Sequence, residues 1–390
     1  MEAADQIFVI AKHWLVAHVP EPWRWLAAIL LSIGPLMALF ASCFAVTTIV
    51  ERKALGRIQN RFGPNRVGPF GLLQPLADGI KMLTKEDIVP FQADRIVHFL
   101  APLALAVPVW LTLSVIPFGR NMTALDLDSG LLFFFAIGAS SELAVFMAGW
   151  SSRNKYALVG AMRGIAQMIS YEIPLVLSTV AVVMMVGSLS LPRIVEAQAG
   201  YVFGLPTWHV FTPWGLAGFI IFLIAACAEA NRAPFDLPEA ESEIIAGYLT
   251  EYSGFKYALF FLGEYLGLFA MSGLGITLFL GGWNAPLPFL TWVPSYLWFF
   301  AKLMAIVFLF IWIRGTLPRL RMDQLLNFAW KFMIPMALIN IVVAGVWHFM
   351  GPGLARWAVC ILMVVGPYVL LGRGLMGNNN LGKRTYRFAD

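Results

Sequence analysis

Five carboxylates and one arginine fall within fifteen residues, 229 to 243, of a 390-residue chain in which only 13% of residues are charged. The acids are Glu229, Asp236, Glu239, Glu241 and Glu243, the cation is Arg232, and long apolar runs lead into and out of them. Glu251 follows shortly after. Crowded carboxylates repel, so one of them holds a proton more tightly than an isolated acid would. On a helix Glu239 and Glu243 share a face while Glu241 points away. Such a cluster can take up and release protons, or respond to a charge arriving nearby. A local structural role stands beside this for two of the acids. Asp236-Leu237-Pro238-Glu239 has the form of a capping box, with Asp236 as N-cap and Glu239 at N3.

Four acids lie within or at the ends of apolar runs: Glu142, Glu172, Glu229 and Glu264. An ionised acid at the centre of a membrane helix costs roughly 3 kcal/mol. Together they must face one another, carry protons or line water. Glu264 sits about 12 Å into its run at 1.5 Å per residue, and Pro174 follows Glu172 by two residues, freeing carbonyls that can bind water. A graded chain of acids leading inward from the 229–243 cluster is the expected arrangement.

The elements that must hold these residues are membrane helices. Hydrophobic residues make up 59% of the chain, and nine spans are expected, near 25–50, 97–117, 130–150, 162–187, 212–230, 256–280, 294–313, 331–350 and 356–373. The fold class is therefore an all-α polytopic helical bundle forming one transmembrane domain over residues 1–390. Counting Lys and Arg by side gives 21 against 5, with Lys302 inside a span. This places the N-terminus outside and the C-terminus in the cytoplasm. The cytoplasmic segments are then 51–95, 229–255, 314–330 and the tail of 356–390. Trp208, Trp214, Trp283 and Trp292 in the outer loops read as interfacial belt residues, and Lys302 as a side chain able to snorkel. Gly263 and Gly267 form a G-x-x-x-G that marks close helix contact.

Several functions are excluded. Cys43, Cys227 and Cys360 lie in apolar runs without metal-ligand spacing, so disulfides, zinc and iron–sulfur ligation are not expected. The five histidines show no ligand pattern, and neither a Walker A nor a dinucleotide fingerprint occurs. The net charge of +5 does not indicate nucleic acid, because it is concentrated in loops beside spans. Glu2 and Asp5, followed by a long apolar run, argue against a cleavable leader.

Two loops ask for a defined shape. Glu51-Arg52-Lys53 continues the first span as helix until Gly63-Pro64 breaks it, and Arg52, Arg57, Arg61 and Arg66 form a basic collar suited to lipid headgroups. Residues 72, 73, 76, 80 and 83 form an apolar helical stripe with Asp78 and Lys81 as polar members. This predicts an amphipathic helix along the membrane surface that can roof a lateral opening.

The run Glu51-Arg52-Lys53 with 59–68, and the run 228–243 with 246–254 and 260–265, resemble the signatures of the quinone-channel membrane subunit of respiratory complex I, called the H subunit in bacteria and subunit 1 in mitochondria. The resemblance covers most of 24–350, while the last helix looks like the extra terminal helix of some bacterial members. It implies a membrane subunit of proton-translocating NADH:quinone oxidoreductase that carries no redox cofactor. NADH, FMN and iron–sulfur clusters would belong to partner subunits, and ubiquinone or menaquinone would be the substrate. Glu51, Arg52, Arg61, Asp78, Arg232 and Phe235 match tunnel positions. Asp236, Glu239, Glu241, Glu243 and Glu251 fall in the acidic loop, and Glu229, Glu264, Glu172 and Glu142 match the buried path that couples quinone chemistry to pumping. Implied partners are the peripheral-arm quinone-site subunits, the membrane-arm pumping subunits and lipids, in a bacterial plasma membrane or, alternatively, the mitochondrial inner membrane. A related subunit of an energy-converting hydrogenase and a stand-alone ion transporter are the other readings.

Overall fold

The computed structural model describes residues 5–202, 204–238 and 245–377. Most of it is helix: α1 (Ile7–Ala17), α2 (Arg24–Ile58), α3 (Gln74–Thr84), α4 (Arg95–Val115), α5 (Gly130–Gly138), α6 (Ser140–Ser151) and α7 (Lys155–Val186). Then follow α8 (Leu191–Glu196), a short hairpin of β1 (Tyr201–Val202) and β2 (Leu205–Pro206), α9 (Pro213–Glu229), α10 (Gly254–Phe279) and α11 (Ser295–Thr316). The chain continues through α12 (Met322–Phe328), a π turn over Ala329–Met333, α13 (Ile334–Phe349) and α14 (Leu354–Gly377).

Among the described residues, eight helical segments are at least 18 residues long and apolar enough to cross a membrane, and α9 is a shorter apolar helix of 17 residues. The chain is an all-α polytopic membrane protein. Helix α7 begins at Lys155, seven residues before the hydropathy pattern suggested, because Lys155 and Arg163 interrupt the apolar run without breaking the helix. Asn154 starts it by accepting from the Tyr156 amide, and Gly187, at φ 72°, ends it.

Helix α10 is the axis of the bundle, with 72% of its spanning window buried. It packs against α4, α9 and α11. Gly263 makes the close contact expected of it, since a Cβ there would sit 3.0 Å from Leu105 of α4. Gly267 faces open space instead and borders a cavity.

The basic loop after α2 follows a defined path. A Cβ on Gly63 would lie 2.9 Å from the Arg52 carbonyl oxygen, so only glycine lets the chain fold back this closely. Lys53 Nζ fixes the return by donating to the Phe70 carbonyl at 2.5 Å. Helix α3 then runs beside α2 and α10, with Leu76, Ile80 and Leu83 exposed along it and Leu72 and Leu73 exposed just before it, giving it an outward apolar stripe.

The opposite end of the bundle corrects one expectation. Trp208, Trp214 and Trp283 are buried at 9%, 1% and 6% exposure, and only Trp292 is exposed. They pack in a cap built by α8, the hairpin and the loops after α10. Lys302 of α11 is drawn into this cap rather than to the surface. Its ammonium donates to the carbonyls of Leu280, Gly282 and Asn284, each at 2.8 Å, and lies 4.0 Å from the Trp208 ring centre. His209 in the same cap is held below the usual imidazole range by burial, and its Nδ1 meets the Leu278 carbonyl at 2.8 Å. Lys302→Met leaves three carbonyls without donors. It is expected to lower stability by roughly 2–3 kcal/mol, read as a drop in the Tm of the purified protein in detergent. An unchanged Tm would show that the cap holds without the ammonium.

Candidate functional site

The site begins where α9 stops. Its last residue is Glu229, and the chain then turns through Asn231 at φ 48°, a left-handed conformation that asparagine tolerates. The turn is closed by the amides of Asn231 on Ala228 O and of Arg232 on Cys227 O, each at 3.2 Å. Gln167, fully buried on α7, ties the turn down. Its Nε2 donates to the carbonyls of Ala228 at 2.7 Å and Phe235 at 2.6 Å, and lies 3.3 Å from Asn231 Oδ1.

The turn throws Arg232 inward against Glu51 near the end of α2. Glu51 is only 4% exposed and is the shared acceptor of three donors. Arg232 Nη1 approaches Oε1 at 3.3 Å, Arg314 Nη1 of α11 contacts the same oxygen directly, and Tyr265 of α10 donates to Oε2 at 2.6 Å. The Arg232 guanidinium also lies 4.1 Å from the Tyr265 ring centre. Burial opposes the charge on Arg232, but Tyr265, Glu51 and Glu264 outweigh it and strengthen its hold on its proton. Four chain segments therefore converge on one carboxylate, and two cations share its single negative charge.

Two cavities adjoin this cluster. One, of about 110 Å³, is bordered by Arg232, Asp236, Tyr257 and Arg314. The other, of about 60 Å³, lies deeper and is bordered by Glu229, Tyr248 and Gly267. Asn231 and Glu264 stand on the walls of both. A water needs roughly 10–15 Å³ and polar partners, so each space can hold several. Glu264 accepts a hydrogen bond from Tyr248 Oη at 3.0 Å. One Glu229 carboxylate oxygen is buried without a hydrogen bond among the described residues, and the same is true of Glu142 Oε1. Glu142, in the first turn of α6, interacts with Glu172 of α7, and both act electrostatically on Glu229. The four acids thus approach one another as Glu264, Glu229 and the Glu142–Glu172 pair, on four different helices.

The remaining expected residues occupy other places. Arg52 and Asp78 form an ion pair at 2.6 Å that ties α3 to α2, with Gln74 bonded to the same aspartate at 3.0 Å. Arg61 is exposed and bonds Gln59 at 2.8 Å. The Phe235 ring is buried against Tyr171, 5.2 Å between centres, and does not border either cavity. Glu251 accepts from Asn154 at 2.7 Å and ties two loops together rather than reaching the cavities. Glu239, Glu241 and Glu243 lie outside the described residues, as does the helix expected to start at Asp236. Sequence reasoning assigned no role to Asn231, Tyr248 and Tyr265, although they lie within the runs that carry the resemblance, nor to Gln167, and Arg314 counted only among the basic-side charges. Polar but uncharged residues in or beside spans were the available signal.

The fold and site define a class: polytopic helical membrane proteins in which a buried carboxylate–guanidinium cluster opens onto a line of membrane-embedded acids. The model of the family described as NADH dehydrogenase matches residues 31–345. The chain belongs to that family. It is 51% identical over 310 residues to the NADH-quinone oxidoreductase H subunit 1 of Geobacter metallireducens, covering 77% of this chain and 90% of the relative. Identity is 52% over 297 residues to the H subunit of the same enzyme from Dehalococcoides mccartyi, covering 76% and 80%. Against the corresponding H subunit of Geobacillus kaustophilus it is 48% over 327 residues, covering 83% and 96%. Helices α1 and α14 lie outside the family match.

Proposed function

We propose that the chain serves as the H subunit of a proton-translocating NADH:quinone oxidoreductase in a bacterial plasma membrane. Its basic loops would face the cytoplasm and its N-terminus the outside. The observation that carries the reading is the joint wall of Asn231 and Glu264, which stands between the cavity beside Arg232 and Arg314 and the cavity beside Glu229. Quinone would enter under α3, whose exposed apolar stripe suits a surface helix roofing a lateral opening. Arg52 and Asp78 would brace that roof, with Arg61 on the approach, while Phe235, packed against Tyr171, would support the turn that carries Arg232.

Redox chemistry would take place in partner subunits holding NADH, FMN and iron–sulfur clusters. This chain would respond to charge. A new negative charge near Arg232 competes with Glu51 for the guanidinium, and Glu264, within its field, then shifts its proton occupancy. Glu229, Glu172 and Glu142 pass the change toward the pumping subunits. Asp236, Glu239, Glu241, Glu243 and Glu251 belong to the loop on the entrance side.

The test is isolation of the complex through a tag on this chain. NADH-oxidising subunits should co-purify, and the complex in vesicles should reduce quinone and move protons together. Co-purification with a nickel–iron hydrogenase and no quinone use would overturn the reading. So would proton or sodium flux through the isolated chain in liposomes.

A further inference from the structure

The joint between the two cavities is made by an uncharged amide, and its orientation is fixed from behind. Asn231 stands on both walls, yet it is not an acid and cannot hold a proton that has left Glu264. What it can do is present a donor or an acceptor to a water or carboxyl beside it. The turn that Gln167 holds decides which. Gln167 Nε2 lies 3.3 Å from Asn231 Oδ1, so the oxygen of Asn231 turns toward α7 and its Nδ2 is left as the donor for the cavity side. The same Gln167 Nε2 donates to Ala228 O and Phe235 O, at 2.7 and 2.6 Å, which pins both ends of the turn carrying Glu229, Asn231 and Arg232. Gln167 is fully buried and sits five residues before Glu172 on α7, so one helix carries both the clamp and a member of the acid line.

We infer that Gln167 and Asn231 form a positioning latch, in which the Asn231 Nδ2 donor bridges the cavity of Glu264 and Arg232 to that of Glu229, and Gln167 pins the turn that presents it. Opening the latch separates the two cavities electrically while leaving every acid in place. The inference rests on the coupling role proposed above for those acids.

The test uses the assembled complex in membrane vesicles. NADH:quinone reductase rate and proton pumping are measured for Asn231→Leu, Gln167→Leu and Asn231→Asp, with Glu264→Gln as reference and the amount of complex read on native gels. The two leucine variants are expected to lose about tenfold in rate and to lose pumping in parallel, the scale of a lost buried hydrogen bond. Aspartate has the shape of asparagine, but donates only while it carries its proton. An unperturbed aspartate titrates at about 3.9, and the Arg232 guanidinium beside it favours the ionised form, so Asn231→Asp donates at neither pH 6 nor pH 8 and should run about tenfold below wild type at both, with wild-type amounts of complex. Leucine variants that run at the wild-type rate while Glu264→Gln is inactive would overturn the latch and leave the acid line standing. A fully active Glu264→Gln would instead remove the reading beneath it. Should the leucine variants fail to assemble, the aspartate decides, and a wild-type rate there overturns the latch.

Discussion

Glu51→Leu is expected to cost the complex its assembly. The carboxylate is the common acceptor of Arg232, Arg314 and Tyr265, and removing it leaves two guanidinium groups without the carboxylate they share. Breaking a buried ion pair from one side destabilises by roughly 3–5 kcal/mol, because the orphaned charge keeps its desolvation penalty. Here two charges are orphaned. Arg232 is 7% exposed and reaches only the small cavity beside it, whereas Arg314 is about one-third exposed and can turn in part to solvent. The amount of complex on native gels should fall severely, and the residue that assembles should melt at lower temperature. Glu51→Gln keeps an acceptor oxygen and should fall between the two. Adding Arg232→Met to Glu51→Leu should recover part of the loss, since an apolar pair of similar size replaces an ion pair at little cost. Wild-type amounts and Tm for Glu51→Leu would mean that the cluster does not hold the loop to the bundle.

Glu264→Gln and Glu229→Gln are each expected to reduce coupled quinone reductase turnover by about a hundredfold, within the usual scale for removing a group that transfers protons. Glutamine keeps the size and polarity of glutamate, and at 264 its amide oxygen can still accept from Tyr248, so assembly should be preserved. What is lost is the ability to change charge. Because Glu264 borders both cavities, its replacement interrupts the line at the one acid among the described residues that is common to them. Replacement of Glu142 alone should cost less, since Glu172 stands beside it. Rate and proton pumping measured on the same vesicles check this. Full rate with full pumping in both variants would remove the acids from the coupling path.

The sequence made the bundle legible because helices in oil must be apolar along their whole length. Even α9 and α14 stood out, although their ends did not. Helix α7 began earlier than the hydropathy pattern indicated, because Lys155 and Arg163 sit on a helix that leaves the apolar layer without unwinding. The tryptophans misled for a related reason. An amphipathic ring in an outer loop suits both the interface and a folded cap, and only tertiary packing around Lys302 chose the cap. Within the site, Glu142, Glu172, Glu229 and Glu264 were legible as charges where charge is expensive. Their neighbours were not. Gln167, Asn231, Tyr248 and Tyr265 hardly disturb hydropathy, and what makes them part of the site is the meeting of α7, α9 and α10, which no local pattern encodes.

The early stop of α9 has an electrical consequence. Seventeen residues at 1.5 Å each reach about 26 Å, less than the ~30 Å of a bilayer's hydrocarbon. The shortfall is filled by a polar turn flanked by two hollows, so on this side the insulator is thinned. Voltage drops where the dielectric constant is low. With both hollows hydrated, a proton reaching Glu229 has crossed little of the membrane potential, and most of the ~2.3 kcal/mol per 100 mV of electrical work still lies ahead of it.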